Sequence, residues 1–257
     1  MSLLAAQGIT KEFGGLTAVN KVDFAMEEGM IAGLIGPNGA GKTTFFNMIT
    51  GVYPATTGSL TFRGANIGGK QAHEITEAGI ARTFQNIRLF PAMSVIENVL
   101  VGMHCRLRSG LVDTLFQTKR KQAEEADAKG KALEMLEYVG LGRRRAEMTA
   151  RHLPYGDQRR LEIARALASQ PQLLLLDEPT AGMNPTETDD LTAFIRRIRG
   201  ELNLTVLLIE HHMRVVMGIS DRVTVLDHGE KIAEGTPAEV QSTPAVIEAY
   251  LGTGATH

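Results

Sequence analysis

Tryptophan is absent from this chain of 257 residues, cysteine occurs once, at Cys105, and aromatic residues make up only 5%. A single cysteine permits no internal disulfide framework and points to a reducing compartment. Without Trp and with few other aromatics, the stacking platforms that hold single-stranded nucleic acid are not expected. No 18 apolar residues run together, and Met1-Ser2-Leu3-Leu4-Ala5-Ala6-Gln7 lacks the charged leader and apolar stretch of a signal peptide. An excess of one charge is missing too. Lys and Arg number 27 against 29 Asp and Glu, a net charge of -2, which disfavours nonspecific binding to nucleic acid. The best candidate for a local basic patch, Arg143-Arg144-Arg145, follows a Gly-Leu-Gly turn and is expected to be a solvated surface. The length suits one large domain, or a core with a smaller appended subdomain.

Against these absences stands Gly36-Pro37-Asn38-Gly39-Ala40-Gly41-Lys42-Thr43-Thr44, which fits G-x-x-x-x-G-K-[ST] at every fixed position. A phosphate cradle needs backbone N–H groups turned inward at an anion, and residues without a Cβ where the chain turns tightly against it. Gly36, Gly39 and Gly41 meet that need, Lys42 can reach the β- and γ-phosphates, and the Thr43 hydroxyl is placed to ligate Mg²⁺. The context agrees. Met30–Ile35 is a short apolar run that reads as a strand buried on both faces, and Phe45, Met48 and Ile49 recur at helical spacing before Gly51 and Pro54. The helix N-terminus would then aim its partial positive charge at the phosphates.

The second landmark is Leu173-Leu174-Leu175-Leu176-Asp177-Glu178-Pro179-Thr180. The leucine run predicts a central parallel strand with two carboxylates at its carboxyl end, where α/β sheets bind ligands. Asp177 suits a Mg²⁺ shell and Glu178 suits accepting a proton from attacking water. Asn184-Pro185 with Glu187 predicts a capped helix start. Leu204–Ile209 predicts another buried strand, ending at Glu210-His211-His212, with the histidines placed to meet a γ-phosphate.

Around these landmarks, Val22, Phe24 and Met26, and again Leu60 and Phe62, alternate with less apolar neighbours and predict two antiparallel strands of a small β layer. Phe13, beside Gly14-Gly15, could stack on a purine ring, although core packing is the commoner role. From Gln71 to about Ala168 the pattern is mostly helical, including a long charged helix from about 118 to 139, as an inserted subdomain would be. Val223–Leu226 and Lys231–Ala233 predict a hairpin, and Thr236-Pro237 and Thr243-Pro244 start two closing helices.

Taken together, these residues resemble the ATP-binding cassette (ABC) ATPases from about Leu3 to Gly252. The resemblance rests on the phosphate loop, Gln85, Leu153-Pro154-Tyr155-Gly156-Asp157-Gln158-Arg159-Arg160, Asp177-Glu178, Ala181-Gly182-Met183-Asn184 and His211. Phe13-Gly14-Gly15-Leu16, Arg82–Phe90, Tyr155–Arg165, Val216–Arg222 and Ala249-Tyr250-Leu251-Gly252 are similar to the ATPase subunits of high-affinity branched-chain amino-acid importers.

The resemblance implies an α/β P-loop NTPase core with an antiparallel β layer at 3–85 and 170–235, an inserted helical subdomain at about 86–169, and C-terminal helices at 236–257. It implies ATP and Mg²⁺ as ligands and a head-to-tail pair with a second ATP-binding subunit, itself or a sister chain. Transmembrane permease subunits and, indirectly, a substrate-binding protein are the implied partners, at the cytoplasmic face of the inner membrane. Carried onto this sequence, Phe13 stacks on adenine, while Asn38, Gly39, Ala40, Gly41, Lys42, Thr43 and Thr44 hold the phosphates. Thr43 and Asp177 serve the metal, Gln85 senses Mg²⁺ or the attacking water and couples it to the membrane subunit, Glu178 polarises water, and His211 contacts the γ-phosphate. Tyr155, Gly156 and Asp157 face the other subunit's nucleotide.

The family signature Leu-Ser-Gly-Gly-Gln departs here to Leu153-Pro154-Tyr155-Gly156-Asp157, which removes a hydroxyl and leaves backbone N–H groups near Gly156. His212 stands where Asp usually follows the histidine. Two other readings are the ATPase of a lipopolysaccharide exporter, whose group keeps Ser-Gly-Gly, and a soluble ABC ATPase acting on DNA or ribosomes, whose relatives resemble tandem cassettes or carry coiled coils.

Overall fold

A computed structural model describes residues 2–106 and 119–251 of the chain. The chain opens with β1 (Ser2–Phe13) and β2 (Leu16–Glu27), enters the core at β3 (Ile31–Ile35), passes through the phosphate loop into α1 (Lys42–Ile49), and returns to the first layer as β4 (Thr57–Phe62) and β5 (Ala65–Asn66). Then come α2 (Ala72–Ala78), β6 (Ile80–Arg82), and the helices α3 (Val95–Met103), α4 (Lys119–Tyr138) and α5 (Tyr155–Ala168). The rest alternates: β7 (Leu173–Asp177), α6 (Pro185–Glu201), β8 (Thr205–Ile209), α7 (Met213–Ile219), the hairpin β9 (Arg222–Asp227) and β10 (Glu230–Gly235), and finally α8 (Pro237–Gln241) and α9 (Pro244–Leu251). Residues 252–257, the end of the expected C-terminal helices, lie outside the described residues, as does the start at 118 of the long charged helix.

Two sheets form. The first is antiparallel, in the order β2-β1-β4-β5, and the second runs β10-β9-β3-β8-β7-β6. In the second, β6 to β9 and β3 are mutually parallel and only β10 is antiparallel, to β9. Every residue of β3, β7 and β8 is buried, because helices cover one face and the first layer covers the other. Along β7, Leu173 and Leu175 enter the core shared with the first sheet, whereas Leu174 and Leu176 enter the core shared with the helices. That is the period of two expected of a strand buried on both sides.

One expectation needs correcting, and two others are filled in by the strand pairing. The strands of Val22–Met26 and Leu60–Phe62 do lie in one antiparallel layer, where each pairs with β1 between them. Register shifts interrupt the alternation of β1, so it has no clean period. The stretch from 71 to 168 is mostly helical, as expected, and inside it β6 is the edge strand of the large sheet, three residues being too few to carry a period. The leucine strand β7 is not central but second from that edge.

The starts of several helices follow the sequence closely. Asn184 caps α6 and Thr236 caps α8, each with a glutamate three residues on closing a capping box and Pro at the first position. Ser94 and Glu97 close a capping box on α3 as well, there with Val95 at the first position. The helical insert shares its core with the sheet: Val95, Val99, Leu136 and Leu161 lie in one cluster with Leu174, Leu176, Ile195 and Leu208. In the last turn of α9, Tyr250 packs on the cluster around Ile35 and Val225 beside the phosphate loop, and burial pushes its phenol up to about 12.

Gly102 sets the approach of α3 to α5. A Cβ there would lie 2.1 Å from the Arg165 carbonyl oxygen, a backbone atom that cannot move alone. Gly102→Ala is expected to push the two helices apart and lower the unfolding free energy by about 1–3 kcal/mol, read from urea titration.

Candidate active site

The phosphate loop bridges β3 and α1. Gly36 has a φ of 149°, and a Cβ on it would lie 2.0 Å from the Leu226 carbonyl oxygen on β9. Gly41 has a φ of 96° and caps α1 in the left-handed region, with no side chain closing the first turn, so the N–H groups of that turn are available to an anion. Asn38 and Gly39 are exposed at the crown of the loop, Ala40 is buried beneath it, Thr43 is exposed and Thr44 half-buried. Lys42 folds back into its own loop, and its Nζ donates to the carbonyl oxygens of Gly36 at 2.7 Å and Pro37 at 2.8 Å. Burial pushes the Lys42 pKa below its ordinary 10.5, against the pull of Glu178 and Asp177, which favour the charge.

Glu178 lies where β7 ends, and around it the structure brings together residues far apart in sequence. Gln85 Nε2 donates to Glu178 Oε2 at 2.7 Å, and His211 Nε2 donates to Glu178 Oε1 at 2.6 Å. Glu178 itself is held at a φ of +46°, a left-handed conformation uncommon for a residue with a side chain. Its neighbour Asp177 is 3% exposed, and Arg82 Nη2 donates to Asp177 Oδ2 at 2.7 Å.

Arg82 went unrecognised as a separate site residue in the sequence because β6 gave no pattern. Its Nη1 also donates to Asn47 Oδ1 at 2.7 Å and Thr50 Oγ1 at 3.2 Å on α1, so one guanidinium ties the helix after the phosphate loop to Asp177. Phe84 then stacks between Arg82, at 4.9 Å, and Arg88, at 4.2 Å. The loop from 84 to 88 is held from within by a fully buried ion pair on α5. Arg159 donates to Glu162 and to Phe84 O, both at 2.7 Å, and to Gln85 O at 2.8 Å. Glu162 Oε1 accepts from the N–H of Phe84 at 3.3 Å and of Arg88 at 3.1 Å. The spacing of three that pairs Arg159 with Glu162 is legible in sequence; its burial is not.

The same helix α5 starts with Tyr155-Gly156-Asp157. The Tyr155 hydroxyl donates to Ala181 O at 3.0 Å, and its ring lies against Gly182. Asp157 accepts from Arg145, so that arginine of the basic run is a tether to the turn rather than mere solvated surface. Phe13, at the tip of the β1–β2 hairpin, is 41% exposed, meets Tyr53 edge-on at 5.2 Å, and lies 4.9 Å from the Lys11 ammonium. Among the described residues no cluster of His, Cys, Asp and Glu could hold a metal unaided. The oxygens on offer suit Mg²⁺, a hard cation that takes few protein ligands beside phosphate: the exposed Thr43 hydroxyl, the Asp177 carboxylate, and the Gln85 amide oxygen, whose NH₂ is turned to Glu178.

A family model described as "ABC transporter" matches residues 19–181, well over half of the chain. The chain belongs to the ABC transporter family. A second model, described as "Branched-chain amino acid ATP-binding cassette transporter", matches residues 230–256. The family member is 49% identical to the high-affinity branched-chain amino acid transport ATP-binding protein LivG of Salmonella typhimurium, over 97% of this chain and 98% of that one. It is 48% identical to BraF of Pseudomonas aeruginosa, a protein of the same description, over the same shares. A crystal structure of a nucleotide-free ATP-binding cassette from an ABC transporter superposes with a TM-score of 0.84 at 33% identity, covering 97% of this chain and 99% of the other. A crystal structure of the ADP conformation of an ATP-binding cassette of an ABC transporter superposes with a TM-score of 0.83 at 33% identity, over 98% and 99%. This ABC protein is therefore an ATPase with the P-loop cassette fold.

Two outcomes are expected. Arg82→Leu strands the Asp177 carboxylate in the core and is expected to lower the unfolding free energy by about 3–5 kcal/mol in urea titration. Bound phosphate favours the charged lysine, so ATP binding raises the depressed Lys42 pKa. Affinity is therefore expected to fall as pH rises through the free-state value, below 10.5, with proton uptake on binding in that window. Calorimetry in buffers of different ionisation enthalpy reads the uptake, and Lys42→Met is expected to abolish it.

Proposed function

We propose that this chain is the energy-coupling subunit of an importer for the branched-chain amino acids, working at the cytoplasmic face of the inner membrane. The observation that carries the catalytic part is the contact of Gln85 and His211 with the two oxygens of Glu178, at 2.7 and 2.6 Å, beside the phosphate loop's lysine. The cargo reading is supported by the descriptions of LivG and BraF and by the match at 230–256. Among the described residues no helix is long and apolar enough to cross a membrane. Transport on this reading therefore needs transmembrane permease subunits, and a substrate-binding protein to deliver cargo to them.

In this mechanism Asn38 to Thr44 wrap the phosphates, and the open first turn of α1 directs its N–H groups at them. Lys42 exchanges the carbonyls of Gly36 and Pro37 for phosphate oxygens. Phe13 stacks on adenine, with Tyr53 and Lys11 bracing its ring. Thr43, Asp177 and Gln85 would hold Mg²⁺, which when bound would neutralise charge on the phosphates. Glu178 Oε1 and Oε2, released from His211 and Gln85 as nucleotide enters, accept a proton from the attacking water, while His211 turns to the γ-phosphate. A second ATP-binding subunit, packed head to tail, presents Tyr155, Gly156 and Asp157 to this nucleotide. The N-terminus of α5 there supplies N–H groups where the usual serine hydroxyl is missing.

Glu178→Gln is expected to bind ATP with wild-type affinity and to lose hydrolysis by about 10² to 10⁴, the share of a general base. Near-normal turnover in that variant would show the base to be another residue. For cargo, the complex with its co-purified permeases, reconstituted in vesicles, is expected to raise ATP turnover with Leu, Ile or Val presented by the binding protein. Stimulation by none of the three overturns that part.

A further inference from the structure

Glu210 follows β8 directly, is 2% exposed, and is not among the residues assigned a role above. A buried carboxylate is tolerated only when donors surround it. Here each oxygen has two. Oε1 accepts from Thr180 N–H at 2.8 Å and from the Thr180 hydroxyl at 2.6 Å, while Oε2 accepts from the N–H of His211 at 3.1 Å and of His212 at 3.4 Å.

The two pairs of donors belong to different loops. Thr180 lies two residues after Glu178 on the loop leaving β7, and His211 opens the loop leaving β8. The parallel ladder between these strands reaches its end at Asp177 opposite Ile209, with Glu178 N–H donating to Ile209 O at 2.9 Å. Past that point the strands part, and the Glu210 side chain takes over the pairing. His212 adds a third link. Since the Thr180 hydroxyl proton is given to Glu210, the Thr180 oxygen accepts from His212 Nδ1–H at 3.0 Å, which fixes that ring's tautomer. The imidazole standing where aspartate is usual thus extends the same clamp.

We propose that Glu210 is the positioning residue that sets the Glu178–His211 geometry, its four-donor carboxylate locking the two loops that carry them. This inference rests on the roles given to Glu178 and His211 above. Glu210 touches neither phosphate nor water in it; it acts only through the loops, which hold His211 Nε2 2.6 Å from Glu178 Oε1 before nucleotide enters and fix the backbone from which that ring then turns to the γ-phosphate.

Glu210→Gln tests it. The amide keeps the shape and one acceptor oxygen, but its NH₂ faces a pair of donors, so one of the two loops is released. Two readings are taken on the full chain. In steady-state hydrolysis, kcat is expected to fall about tenfold or more while KM for ATP stays within about twofold. In nucleotide-free protein labelled at its seven histidines, the His211 ring resonances, identified by their loss in His211→Ala, are expected to move and broaden. Thr180→Val removes only the hydroxyl donor, and is expected to change both readings in the same direction should Glu210→Gln not fold. Wild-type kcat, or His211 resonances unmoved in a folded variant, overturns the proposal, as does a fall in affinity equal to the fall in kcat. The resonances need no turnover. They report on Glu210 even if Glu178→Gln were to retain hydrolysis, the separate result that removes the base assignment.

Discussion

The parallel pairing of β7 with β8 is the constraint on which the rest of the site depends. Its register puts Asp177 opposite Ile209, so an acidic loop and a histidine loop leave the sheet side by side at the same edge. The pairing is enforced by leucine and valine burial on both faces, since each strand alternates its side chains between two cores. A slip of one residue would exchange those faces and carry Glu178 away from both Gln85 and His211. The polar chemistry is thus set by apolar packing several residues upstream.

Charge is used inside this protein chiefly to hold loops where hydrogen-bond ladders stop. Arg82 ties α1 to Asp177, the Arg159–Glu162 pair grips the 84–88 loop, and Glu210 spans the loops after β7 and β8. Buried ions of this kind contribute little net stability compared with apolar residues of equal size, because desolvation offsets most of their attraction. What they supply is direction: a guanidinium or carboxylate with several donors and acceptors fixed admits few alternative loop positions. In this chain they converge on Glu178 from separate segments, one through Gln85 and the other through His211.

The helix α5 connects events that the sequence places far apart. Its first turn presents Tyr155 to the Ala181 carbonyl and Asp157 to Arg145, and one turn later its buried pair holds the backbone of Phe84, Gln85 and Arg88. Among the described residues, the helical insert shares its core with the large sheet. Motion of the insert relative to the sheet would therefore disturb the Gln85 loop and the Ala181 turn together, through one rigid element.

Much of this was legible in the amino-acid order. Glycines in a fixed pattern before a lysine admit one kind of loop, the leucine run before Asp177-Glu178 admits a buried strand, and Asn-Pro or Thr-Pro followed by glutamate starts a helix. Each is a local signal, carried by backbone conformation or short-range periodicity. What tertiary structure alone decided is pairing between distant segments. β1 has bulges in place of a period, and β6 is too short to show one, so Arg82 had no element to mark it. Arg159, Glu162 and Glu210 look in sequence like ordinary surface charges, because nothing in the order of residues tells a charge that it will be buried. Local chemistry chose the elements and the reactive groups; long-range packing, which depends on the whole chain at once, chose which of those groups touch.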